Sequence, residues 1–417
     1  MSPSIARLTR WPGTSGESFK KAGRLSGRIG DLELIEARAE SVLDAVPVTR
    51  VTDITQLDEC DVPVFAAVTP LARDLTTHLG KGASARAARV SAMMEAIERV
   101  SAEQCRGRRR RASFDELRAS GVNAVDPLGF DLPRSTRYRS DQPFDWVEGW
   151  ELISGEPAWI PVDLAITPPK EGILDQVDTN GVAAGASYGE AMRHALLEVI
   201  ERDAVSQHQF YDLFGEHGNG GPVKSRIDPD SLPVSLDGYR RRAEVMKLDL
   251  AFEDLTSELG IPTVACTMTD HTFAGHDGPA VRQFGGWGAD TVAEGAIIRS
   301  ATEAFQARLG YIQGSRDSFN LAPRPTRTAS RAAKERDLQA VGQQDFSAVP
   351  SYESDDLAAD VEHILQALFS IGIDRAFVVD LSREDLAIPV LRVRVPGLSA
   401  FVVDRQRVGW RCARHLL

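Results

Sequence analysis

Apolar positions along the chain fall into two periods. From "VTRVTDITQLDECDVPVFAAVTP" onward, short β-branched stretches alternate with long alanine-rich segments, the pattern of an α/β or α+β domain. The segments "PAWIPVDL", "PTVACTMTD" and "RAFVVDL" predict strands. Three segments rich in Ala, Met, Glu and Arg predict helices: "SARAARVSAMMEAIERVSAEQC", "SYGEAMRHALLEVIERDAVSQ" and "TVAEGAIIRSATEAFQARLGYIQ". The last is expected to close on Gly314. Residues 1 to about 45 read as a polar lead-in ending in the amphipathic helix "DLELIEARAESVLDAV", and residues 46–417 as one domain. The Pro-, Arg- and Thr-rich "NLAPRPTRTASRAAKERD" predicts a mobile loop within 314–350.

Within the first two long helices the polar positions are ordered. Ser91, Glu95 and Glu98 stand at i, i+4 and i+7, which places them on one face. Glu190, His194, Glu198 and Glu201 form the same kind of stripe, and the hexamers "MEAIER" and "LEVIER" nearly repeat. Carboxylates on largely apolar helices must be protonated, paired or neutralised by cations. Arg99 and Arg202 could pair with either stripe alone. Two such stripes facing across a cleft would suit a divalent metal, and hard oxygen ligands suit magnesium shared with phosphates. The implied ligand is a nucleoside triphosphate. No Walker A spacing exists, since "HLGKGASARAAR" lacks it, and no G-x-G-x-x-G opens a helix.

Composition narrows the class further. The chain has 417 residues, 42% hydrophobic and 26% charged, an ordinary globular balance. Its net charge of −12 argues against nucleic-acid binding. The run "CRGRRRRAS" is the local exception, and it reads as the solvated end of the helix before it. Four scattered cysteines show no zinc spacing or disulfide framework, and no signal peptide or membrane span is apparent. A cytoplasmic protein is expected.

Four segments, "GKGASARAARVSAMMEAIERVSAE", "NGVAAGASYGEAMRHALLEVIERDA", "EAFQARLGYIQGSRDSF" and "IPVLRVRVPGLSAF", resemble successive motifs of the YcaO family. The resemblance implies an α+β, YcaO-type fold of mixed sheets packed with long helices, with two E-x-x-E-R helices facing across an ATP/Mg2+ cleft. It implies ATP-dependent O-phosphorylation of a peptide-backbone amide, with ATP and Mg2+ as cofactors. Carried onto this chain, Glu95, Glu98, Glu198 and Glu201 match the metal-binding carboxylates. Ser91, Glu95, Glu190, Glu198 and Arg202 match nucleotide positions, and Arg316 in "GSRD" matches a catalytic arginine near the phosphates. Lys20, Lys21 or Arg24 would supply an N-terminal cation. Ala186 and Ser187 stand where family members often have Asn-Thr.

The tail separates the family's chemistries. Cyclodehydratases of the family typically end in a proline-rich tail, whereas this chain ends "VGWRCARHLL", with no proline after Pro396. The resemblance is therefore greatest to the TfuA-associated, thioamide-forming group. That implies a peptide or protein substrate, a TfuA-like protein, a sulfur donor and a separate leader-binding protein, with a homodimer allowed. An azoline-forming cyclodehydratase, an amidine-forming enzyme, a non-catalytic nucleotide-binding subunit and a small-molecule ligase or kinase are the alternatives.

Overall fold

The structure, a computed structural model, describes residues 11–23, 27–28, 30–174, 178–215, 221–270, 283–314 and 342–417. Three sheets organise them. The first is antiparallel and holds β1 (Arg50–Asp53), β2 (Val64–Val68) and β3 (Thr77–Lys81). The second contains β4 (Arg109–Ala112), β5 (Phe144–Glu151), β6 (Glu156–Pro161) and β7 (Val182–Ala184), completed by the late strands Phe377–Asp380 and Val390–Arg394. The third holds β8 (Ser225–Ile227), β9 (Leu248–Asp254), β10 (Thr263–Asp270), β11 (Gln283–Ala289) and β12 (Gly342–Gln344), with β12 parallel to β8. The late strands are β13 and β14. The helices are α1 (Leu32–Glu40), α2 (Ala85–Ser101), α3 (Phe114–Ala119), α4 (Val162–Ala165), α5 (Tyr188–Phe214), α6 (Asp237–Val245), α7 (Ala293–Gln313), α8 (Leu357–Ser370) and α9 (Trp410–Ala413).

Side-chain alternation divides the core. Phe377 and Val379 of β13 point to the face that also buries Val90, Met93 and Ile97 of α2, while Val378 packs with Ala191, Leu196 and Ile200 of α5 and with α8. Behind the third sheet, Val264, Cys266 and Met268 meet Ala296, Ile297 and Ala304 of α7. Where strand meets helix the approach is close. A Cβ on Gly80 would lie 2.0 Å from Ala92 N, and one on Gly288 would lie 2.3 Å from Ala296 O.

The predicted long helices form, and α7 ends on Gly314 at φ 68, the left-handed residue that satisfies a helix end. "PTVACTMTD" and "RAFVVDL" give β10 and β13, whereas "PAWIPVDL" is a strand only to Pro161 and then turns into α4. The arginine run is a correction. α2 ends at Ser101, and Arg109–Ala112 form β4, paired with β5 and held by Arg111 to Asp145 (3.0 Å) and Glu171 (3.1 Å). Charged side chains on such a strand discourage pairing with other chains. Of the expected loop, residues 315–341 lie outside the described residues, and Gly342–Gln344 is strand rather than loop.

Near the C-terminal end Asp131 sits at φ 49 beneath Ser399, whose Oγ donates to it at 3.3 Å. Burial, with Asp203 adding repulsion, pushes its carboxyl up to about 6. A carboxyl with a raised folded pKa favours folding most at low pH, and that contribution is lost as pH climbs from about 4 through 6. Asparagine tolerates the left-handed backbone and can still accept from Ser399. Asp131→Asn is expected to melt above the parent at pH 8, with the gap closing toward pH 4. Equal melting temperatures at both pH values would refute the assignment.

Candidate active site

Three strand-turn-helix units build the site: β3–α2, β7–α5 and β11–α7. Local sequence makes each turn. Ser84 caps α2 by accepting from Ala87 N–H, and Ser187 caps α5 by accepting from Glu190 N–H. In the third unit Asp290 Oδ1 accepts from Val292 N–H at 3.2 Å.

Each helix then reaches the strand of the next unit. Ala184 N–H at the end of β7 donates to Glu98 Oε2 of α2 at 3.1 Å. Ala289 N–H at the end of β11 donates to Glu201 Oε2 of α5 at 3.0 Å. Gln306 Nε2 of α7 donates to Leu79 O of β3 at 2.5 Å. The three ties close a ring, and within it Glu98, Glu198, Glu201, Glu303 and Lys81 come close enough to act on one another's charge.

The first two stripes do come together. Arg99 lies 3.6 Å from Glu95 and 3.9 Å from Glu98, and Arg202 lies 3.7 Å from Glu198. These separations are long for hydrogen bonds, so the arginines balance charge without occupying the carboxylates. Burial is the main force on their acidity. It pushes Glu98 up to about 8 and Glu198 up to about 7, with Arg99 and Arg202 respectively opposing it, and Glu198 repels Glu98 from the facing helix. Glu201 is also raised, by burial first and then by Glu303. A cation beside such carboxyls would favour their ionised forms.

Among the described residues no three acidic, His or Cys side chains converge into a ready-made metal cage. The donors stand in pairs on opposed helices instead. That arrangement fits magnesium, which takes one or two carboxylates and completes its shell with water and phosphate oxygens. Glu98 and Glu201 each spend one oxygen on a strand N–H and keep the other, while Glu95 and Glu198 remain partly exposed.

Of the other residues singled out by sequence, Ser91 lies half-buried on the same α2 face, and Glu190 is buried at the start of α5. Arg316 and Arg24 lie outside the described residues. Lys21 is buried against Asp360, Nζ 2.6 Å from Oδ2, and also donates to Ser354 O at 2.9 Å. Lys20 is exposed. Among the described residues, Arg28 lies close enough to the α5 stripe for its charge to act on His194. Burial, with the charges of Arg299, Arg28 and Arg193, holds His194 well below its usual range and hence neutral.

The third unit was missed by sequence reasoning. Glu303 lies 2.7 Å from Lys81, at the end of β3, and Arg299 carries a buried Nε with no hydrogen-bond partner among the described residues. Their signal was present but altered. Glu303-x-x-Gln306 follows Glu198-x-x-Glu201 at nearly the interval that separates the first two hexamers, with glutamine replacing the second acid. Lys81 stands in "HLGKGAS", a segment without Walker spacing.

An acidic, cation-seeking cleft ringed by three strand-turn-helix units defines a nucleotide-binding fold without a Walker loop. The chain belongs to the YcaO family: the family described as "YcaO cyclodehydratase, ATP-ad Mg2+-binding" matches residues 79–399. An uncharacterized protein of Methanothermobacter thermautotrophicus is 34% identical over 388 residues, 88% of this chain and 94% of that one. A Rhizobium leguminosarum bv. trifolii protein, described as lying in the tfuA 3' region, is 30% identical over 367 residues, 84% of each chain. The structure of YcaO from Methanopyrus kandleri bound with AMPPCP and Mg2+ superposes with a TM-score of 0.71 at 25% identity, covering 92% of this chain and 95% of that one. A heterocyclase in complex with substrate and cofactor shares the fold, with a TM-score of 0.73 at 23% identity, covering 92% of this chain and 54% of that one. No described helix is long and apolar enough to cross a membrane.

Proposed function

We propose that the chain phosphorylates a backbone amide oxygen of a peptide or protein with ATP and Mg2+, and that an external sulfur donor then yields a thioamide with the help of a TfuA-type partner. The observation that carries the amide-activating reading is the opposed carboxylate pairs of α2 and α5, each anchored to a neighbouring strand. Glu95, Glu98, Glu198 and Glu201 would hold magnesium. When bound, it draws charge from the phosphate oxygens during transfer. Arg99 and Arg202 keep the carboxylates from repelling one another, and Arg299 offers an unused donor toward phosphate or oxyanion. Arg316 remains the arginine expected to meet the phosphates.

In this reading sulfide adds to the amide carbon while the amide oxygen takes the γ-phosphoryl group. ADP leaves, then phosphate departs with the C–O bond, and loss of the S–H proton leaves C=S. No side-chain nucleophile is needed. Cys60, Cys105, Cys266 and Cys412 are all buried, and burial raises their thiols, which agrees with that economy.

One observation supports the sulfur branch: a relative carries the tfuA description. Incubation with ATP, Mg2+, sulfide and candidate peptides, read by mass, tests the branch: about +16 Da marks O-to-S exchange and about −18 Da marks dehydration to an azoline. Trimming His415 to Leu417 is expected to leave turnover within about tenfold of the parent. A −18 Da product, or a folded but dead trimmed protein, would move the assignment to cyclodehydration.

A further inference from the structure

The two sides of α5 carry different loads. Glu198, Glu201 and Arg202 face the cleft, and the helical period puts Asp203 and Gln207 on roughly the opposite side. Asp203 is fully buried, at 0% exposure. Arg411 reaches it with a complete fork, Nε 2.7 Å from Oδ1 and Nη2 2.7 Å from Oδ2.

Two further donors fill the same carboxylate. Ser399 N–H donates to Oδ1 at 2.8 Å, and Gln207 Nε2 donates to Oδ2 at 2.9 Å. The remaining arm of Arg411, Nη1, lies 2.7 Å from Glu258 Oε1, in the connection between β9 and β10. One guanidinium thus ties α5 to the sheet whose β11 supplies Ala289, the donor to Glu201. Arg414 repeats the link more loosely, with Nη2 2.7 Å from Glu258 and 2.9 Å from Gln207 Oε1.

The cleft depends on how α5 is rotated. Glu201 must meet Ala289 N–H while Glu198 faces α2, and a small turn of the helix about its axis would break one relation to keep the other. We propose that Arg411 is a positioning residue for the cation site: its fork on Asp203 and its third arm on Glu258 fix the rotation of α5 relative to β11. The inference rests on the cation-clamp reading above. It gives the C-terminal segment a part in the reaction without placing it in the cleft.

Arg411→Lys retains the charge and loses the fork. A double variant, Asp203→Asn with Arg411→Gln, removes both charges, so no buried carboxylate is left unpaired. Folding is checked by circular dichroism and melting. The reading is the Mg2+ concentration for half-maximal binding of a non-hydrolysable ATP analogue, alongside kcat at saturating Mg2+.

Both variants are expected to need at least about tenfold more Mg2+, with kcat at saturation changed less than about threefold. In a third variant, Arg411→Ala, the midpoint is expected to rise as well and millimolar guanidinium to return it toward the parent value, a recovery that general loss of packing does not give. An unchanged Mg2+ midpoint in either folded variant overturns the inference. Glu201→Gln measured in parallel separates the two readings: if it shifts the midpoint and the Arg411 variants do not, only the positioning role falls, and if it too leaves the midpoint unmoved, the clamp falls.

Discussion

Glu201→Gln is expected to lower ATP-dependent turnover by at least about 10²-fold, and Glu98→Gln to do the same, the size of loss that accompanies removal of one preorganised electrostatic group. The local geometry makes both substitutions clean. Each carboxylate accepts one strand N–H, from Ala289 or Ala184, and glutamine preserves that bond through its carbonyl. Its amide nitrogen then turns toward the cleft, where it cannot bind a cation. Because both carboxyls are raised by burial, melting temperature should hold near pH 4 and rise at pH 8 while turnover and Mg2+-dependent nucleotide binding fall together. Parent-level turnover in both variants would dispose of the clamp.

Glu303→Gln is the second large effect, and its cause lies in Lys81. The ion pair of 2.7 Å keeps the Lys81 ammonium on the Glu303 side of the cleft. The same ammonium already favours the ionised form of Glu201. Released from Glu303, it can pair with Glu201 and compete with magnesium for that carboxylate. The Mg2+ requirement is expected to rise about tenfold or more, equivalent to roughly 1.4 kcal/mol. Adding Lys81→Met should recover most of the loss. If the double variant is no better than Glu303→Gln alone, Glu303 acts in its own right and not as the keeper of Lys81.

The long helices were legible because their composition and caps agree with their fate. Ser84 and Ser187, which open the two segments read as helices, cap them, and Gly314 ends α7 as expected. The stripes were legible because helical spacing is local information. The third unit is less legible: Gln306 stands where the other two helices carry an acid, so no carboxylate pair marks it, and the bond to Leu79 shows what that position does. Arg109 to Arg111 misled for another reason. Charge on an edge strand obeys no helical or alternating pattern, and its partner β5 is more than 30 residues away. Lys21 could not be separated from its neighbours in sequence, since its partner Asp360 is distant along the chain.

Ring closure also fixes when the site can exist during synthesis. Glu98 emerges from the ribosome about 200 residues before Gln306, roughly 10–40 s at ordinary rates of chain growth. Until β11 and α7 appear, Glu201 has no Ala289 N–H to accept from and Gln306 is not there to hold β3. The nascent chain therefore carries two acidic helices whose full cation site is assembled last, after a long wait with sheet edges exposed. Slowing elongation between α5 and β11 is expected to alter the yield of folded protein without changing any residue of the site.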